Sequence, residues 1–232
     1  MALQEPEAFP GVGPPKRGAP APTPVRRPAP FTPVAWALVV ACVGVFIVDA
    51  LSHRHLAAAL GLYGPAVERG ELWRALTGPL VHGGLLHLAF NLSAVFTLGR
   101  VLEAGIGSFR FAVATLAGAL GSACGALLFD FDAATIGISG VILGWGGALL
   151  PIATRAGRQQ IFIWLAQVAI LSFLPGVSWA AHLGGFVFGL PCGQIMRAGP
   201  RVFATAAPIL LFVGGVLLVL IGFRKLTFGG LA

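Results

Sequence analysis

Charge is scarce in this sequence: only 10% of its 232 residues are Asp, Glu, Lys or Arg, while 57% are hydrophobic and the mean hydropathy is +0.89. Soluble domains carry roughly a quarter charged residues, so a water-soluble fold is excluded. Acidic groups are fewest, at eight, and they form no row inside the apolar segments such as a transporter pathway would need. Neither HExxH nor GxxxxGK[ST] spacing occurs, and no other cluster has zinc-ligand or phosphate-loop spacing, so no metal or cofactor is expected. Cys42, Cys124 and Cys192 lie in three separate apolar runs, where cysteine behaves as a small hydrophobe and gives no disulfide framework. Period-2 alternation between turn clusters is also missing, which argues against a barrel.

What is present is a series of apolar runs near the ~20 residues that cross a bilayer as helix. They predict spans at about 34–52, 83–103, 109–129, 139–154, 160–175, 181–197 and 204–223. The expected fold class is therefore an all-α polytopic membrane protein, a six-helix bundle with a seventh C-terminal transmembrane helix. Residues 1–33 hold ten of the seventeen prolines with Lys16, Arg17, Arg26 and Arg27, and read as a disordered, basic, cytoplasmic tail without a signal-peptide stretch. Residues 34–197 read as the helical core, and 198–232 as the added helix and its tail. With the N-terminus inside, ten of the fifteen basic residues fall on the cytoplasmic side and five (Arg54, Arg69, Arg74, Arg224 and Lys225) outside, the Arg224-Lys225 pair resisting the pattern. The net charge of +7 is scattered between spans with no aromatic-interleaved basic patch, so the partner is the lipid bilayer and no nucleic acid is expected.

Polar groups at membrane depth ask for a partner or a function, and few are present. In His82-Gly83-Gly84-Leu85-Leu86-His87-Leu88-Ala89-Phe90-Asn91 the i,i+4 spacing puts His87 and Asn91 on one helical face, with His82 in the lead-in loop. Gly137-Ile138-Ser139-Gly140 places a hydroxyl at a helix N-terminus, where free N–H groups favour a developing negative charge. A serine there is most often only an N-cap. The sixth run opens with Ala181-His182, and His182, Gly185, Gly189 and Gly193 form a stripe that Gly140, Gly144 and Gly147 can meet closely. Glycine pairs are commonly packing devices, but here each ridge starts beside a group that a serine nucleophile needs. No acidic residue lies near Ser139 or His182 in sequence, so a dyad is favoured over a Ser-His-Asp triad.

Together, Trp73-Arg74, His82 with His87 and Asn91, Glu103 with Gly107, the Gly137-to-Gly140 segment and Ala181-His182 with Gly185 and Gly189 resemble, in order and spacing, the rhomboid intramembrane serine proteases over about residues 34–197. The resemblance implies Ser139 as nucleophile, His182 as general base, His87 and Asn91 as oxyanion donors beside the Ser139 N–H, and His82 and Gly137 as support. Arg74 and Glu103 would be structural. The substrates implied are transmembrane proteins cut in or near a membrane-spanning segment, in a multi-pass protein of the cell membrane. Two departures stand out: Leu143 occupies a commonly aromatic position facing the catalytic histidine, and the 53–82 connector looks short. A client-binding protein without activity and a small transporter are the rival readings.

Overall fold

The structure is a computed structural model and describes residues 31–174 and 176–224; the tail expected at 1–33 and Lys225 fall almost wholly outside them. Among the described residues seven long helices follow one another: α1 Pro33–Leu51, α2 Leu85–Ile106, α3 Ser108–Phe129, α4 Ser139–Ile152, α5 Arg155–Leu171, α6 Trp179–Arg197 and α7 Pro200–Gly222. The chain is an all-α, multi-pass membrane protein. Four of these helices, α1, α2, α3 and α7, are long and apolar enough to cross a bilayer on length and composition alone. The fifth helix starts earlier than the hydropathy suggests, because Thr154 accepts from Gly157 N–H and caps it at Arg155.

The architecture rests on small residues. A side-chain carbon on Gly185, Gly189 or Gly193 of α6 would collide with the carbonyl oxygens of Gly140, Gly144 and Ala148 of α4. The opposite face of α6 meets α3 equally closely, since Gly121 faces the Gly184 carbonyl and Gly125 the Ala180 carbonyl. Helix α6 thus lies between α3 and α4 with backbones in contact, the arrangement that glycine allows in a medium offering no hydrophobic drive between helices. Helix α7 covers α3 and α6, whereas α5 leans chiefly on α4 and buries no residue along its length.

Buried polar residues tie the ends together. Pro33 opens α1, and the first free N–H groups of that helix, on Val34 and Ala35, donate to the buried Glu103 carboxylate of α2 at 3.0 and 2.8 Å. Gly107, at φ +85°, makes the reversal into α3. Arg224, which resists the charge rule, is held by donating to the Leu128 carbonyl at 3.0 Å over the face of Phe131.

The connector between α1 and α2 folds as short helical turns at His55–Leu60, Gly64–Glu68, Arg74–Thr77 and Gly78–Leu80. Trp73 is exposed as an interfacial residue should be, but Arg74 is buried. Its guanidinium donates to the carbonyls of Ala58 and Gly61 at 2.8 and 2.7 Å and to Glu71, whose carboxyl it holds below the usual carboxylate range. The anchored strip carries Leu62, which exchanges backbone hydrogen bonds with Thr135, while Gly64 N–H donates to Phe131 O and Gly137 N–H to Gly78 O. The loop that delivers Ser139 is therefore pinned to a platform centred on Arg74. Lysine has its three donors on one nitrogen and cannot reproduce bonds made from the spread Nε, Nη1 and Nη2 of arginine, so Arg74→Lys should lower stability by about 1–3 kcal/mol, read as an earlier thermal unfolding midpoint in detergent. An unchanged midpoint would mean that apolar contacts of Val67, Ala75 and Phe131 hold the connector without it.

Candidate active site

Helix α4 has 14 residues and so spans about 21 Å, well short of the ~30 Å hydrocarbon core. One of its ends must lie below the membrane surface, and irregular backbone is tolerated there only where protein covers it. The loop 130–138 is covered by the connector platform at the end where Ser139 begins the helix. Ile138, not Ser139, is the capping residue, and no side-chain capping bond forms. The serine hydroxyl is instead 2.7 Å from Nε2 of His182.

His182 stands in the first turn of α6, which has its own polar fixture. Ser178 caps the helix by accepting from Ala181 N–H at 3.1 Å, while its hydroxyl proton goes to the Asp130 carboxylate at 2.6 Å. The donor directions of this chain are thereby fixed from α3 to α6.

Gly137 lies between Ser139 and α2, with φ +104°, and a side-chain carbon there would come within 2.6 Å of His87 Nε2 and 3.4 Å of Asn91 Nδ2. The two polar tips of α2 therefore converge on the backbone just before Ser139. Asn91 Nδ2 is buried and has no hydrogen-bond partner among the described residues. His87 Nδ1 lies 3.4 Å from Gly83 N, which can only donate, so the ring proton sits on Nε2, aimed over Gly137. His82 donates from Nδ1 to the Leu80 carbonyl at 3.2 Å and meets the His87 ring edge-on at 5.1 Å, so it backs His87 without facing Ser139. Arg54 steadies the same lead-in by bonding Asp49 and the carbonyls of His82 and Gly83.

Two cavities meet at the Ser139–His182 contact. One of about 490 Å³ opens among Asp130, Thr135, Gly137 and Ser178. Another of about 520 Å³ lies between α2 and α5 and is lined by Phe90, Leu143, Trp164, Val168 and Leu171. Ser139, His182 and His87 border both. Leu143 is buried and borders the second cavity together with His182.

A model of the rhomboid domain matches residues 69–199, more than half of the chain. The chain belongs to the rhomboid family. It is similar to RHOMBOID-like protein 5 of Arabidopsis thaliana, with 30% identity over 58% of this chain and 47% of that one. It is similar also to the rhomboid protease GluP of Bacillus subtilis, with 30% identity over 53% of this chain and 26% of that protein. The inactive RHOMBOID-like protein 8 of Arabidopsis thaliana is 32% identical over 52% of this chain and 37% of its own length. The chain spans about half the length, or less, of these relatives. Rhomboids thus include named proteases and a named inactive member, and the site geometry has to carry the distinction.

Of the residues singled out in sequence, Ser139, His182, His87, Asn91 and Gly137 come together, and His82 stands one layer behind. Sequence reading missed Ser172, the residue closing α5, whose Oγ is 2.6 Å from His182 Nδ1. No local pattern marks it, since a serine ending a helix is commonplace; only the fold brings it to the ring. Gly137→Ala places a methyl against the His87 ring at a strained backbone position, and should slow fluorophosphonate labelling of Ser139 by roughly 10²-fold, as loss of an oxyanion donor does. Labelling at the wild-type rate would show that the space over Gly137 does not serve the reaction.

Proposed function

We propose that this rhomboid is an active intramembrane serine endopeptidase that cleaves transmembrane proteins in or near a membrane-spanning segment with a Ser139-His182 dyad. The observation that carries the reading is the 2.7 Å approach of His182 Nε2 to Ser139 Oγ, a nucleophile-base contact inside hydrogen-bonding range. In the first step Nε2 takes the hydroxyl proton as Oγ attacks the scissile carbonyl. The oxyanion develops over Gly137, where His87 Nε2–H, Asn91 Nδ2–H and the Ser139 N–H can receive it. His182 then returns the proton to the leaving amine. Water entering through the cavity bordered by Asp130 and Ser178 releases the acyl group by the same route in reverse.

The apolar cavity between α2 and α5 suits the other requirement, a route for a hydrophobic polypeptide from the bilayer. Its walls are Phe90, Trp164 and Leu171, while α5 itself buries nothing. The proposed placement is the cell membrane with the N-terminus cytoplasmic, so that the Ser139 end of α4 faces the outer side. Burying an unused amide donor costs about 1–3 kcal/mol. The partnerless Asn91 Nδ2 therefore favours activity over a merely client-binding role.

Ser139→Ala and His182→Ala should each abolish cleavage of a transmembrane substrate with the fold intact, and the double variant should be no worse, because nucleophile and base act as a unit. Cleavage by either single variant at near wild-type rate ends this assignment. Asn91→Ala should lower kcat by roughly 10²–10³ and leave KM nearly unchanged, since the donor is used only in the transition state. A rise in KM alone would make Asn91 a binding residue.

A further inference from the structure

Both ring nitrogens of His182 meet hydroxyl groups: Nε2 that of Ser139 at 2.7 Å, and Nδ1 that of Ser172 at 2.6 Å. Ser172 also lies 2.7 Å from the carbonyl oxygen of Val168, one turn earlier in α5. A carbonyl can only accept, and a serine has one proton to give. That proton is used on Val168, so toward His182 the Ser172 oxygen can only accept. Nδ1 must then carry the hydrogen, and in a neutral imidazole Nε2 is left bare. A bare Nε2 is the form that can take a proton from Ser139; the opposite tautomer would point a hydrogen at the nucleophile and leave no base.

We infer that Ser172 is a positioning residue that fixes the tautomer and ring orientation of His182 through the chain Val168 carbonyl, Ser172 hydroxyl, Nδ1–H. The inference rests on the serine protease reading above. Three observations set this contact apart from incidental packing. Helix α5 buries no residue along its length, yet Ser172, immediately after it, is only 6% exposed. The contact is between consecutive helices joined by a short loop, so it adds a direct polar tie between them at the depth of the reacting atoms. And the hydroxyl occupies the place behind the base that a carboxylate takes in a Ser-His-Asp triad, without adding a charge at membrane depth.

The test uses the whole chain in detergent, with the wild type and the Ser139→Ala variant in the same assays. Ser172→Ala should lower both kcat and the second-order rate of fluorophosphonate labelling by about tenfold or more, the worth of one such hydrogen bond, with KM unchanged within about twofold. Ser172→Thr, which keeps the hydroxyl, should recover most of both rates. Labelling needs the activated serine but no polypeptide substrate, so a purely structural or substrate-binding role would not move it in step with kcat. The tautomer can be read on the folded wild type without any substitution, from the imidazole ¹⁵N shifts of His182, which should show Nδ1 protonated and Nε2 bare. An Nε2-protonated ring, or an alanine variant that labels and cleaves at the wild-type rate, overturns the positioning role while leaving the protease reading intact. Failure of the wild type itself to label or cleave, by contrast, would remove the underlying reading.

Discussion

Direct contact between the backbones of α4 and α6 is the constraint from which the rest follows. Ser139 and His182 each stand at the head of a glycine ridge, and the first pair of the ridge, Gly140 with Gly185, begins one residue beyond Ser139. A hydrogen bond of 2.7 Å between side chains as short as serine and histidine demands helix axes closer than ordinary side chains allow. The repeated contacts at Gly144 with Gly189 and at Ala148 with Gly193 also fix the register. A slip of one residue moves one helix about 1.5 Å past the other and takes His182 out of reach of Ser139. Helix packing and the Ser139–His182 contact are the same feature here, and a larger residue anywhere along the ridge would be felt at its head.

The platform beneath the serine solves a second problem set by the solvent. A helix too short to cross brings the non-helical backbone before Ser139 below the membrane surface, and every amide there needs a partner. The connector supplies them: Leu62 to Thr135, Gly64 to Phe131 and Gly78 to Gly137, held in turn by Arg74. This is why a segment that reads as a short loop folds into successive helical turns, and why Arg74 is buried when its neighbour Trp73 stays at the surface.

What the sequence discloses and what it withholds divide along physical lines. Most of the spans, the glycine ridges of α4 and α6, and the shared face of His87 and Asn91 are periodic, local signals, and they lie near where the spacing sets them, except that Gly193 meets Ala148 while Gly147 packs on Phe186 and Leu190. The glycines of α3 that receive the other side of α6 were open to the same reasoning, but without a serine or histidine at the head of their row nothing singled out Gly121 or Gly125. Arg74, Glu103 and Ser172 act across 13, 68 and 10 positions of chain. For such residues sequence shows an isolated polar side chain and only the fold shows its partner. The sequence also suggested that Ser139 could be no more than a cap; the hydroxyl turned toward His182 removes that reading.

The polar order around the dyad reflects the cost of charge in this setting. Three histidines lie close together, and each has one ring nitrogen committed to a neutral neighbour: His82 to the Leu80 carbonyl, His87 to the Gly83 amide, His182 to the Ser172 hydroxyl. A carboxylate behind His182 would stabilise the imidazolium more strongly, but an ionised acid at membrane depth is expensive before any reaction begins, and unpaired it would be protonated instead. Neutral partners avoid that ground-state cost while still deciding which nitrogen donates and which accepts. In the mechanism proposed above, what they give up is stabilisation of a positive His182 ring, so more of the rate would have to come from donors that meet the oxyanion. The amide of Asn91, without a partner among the described residues, and the Nε2–H of His87 both lie over Gly137, and on that proposal they are the groups that would supply it.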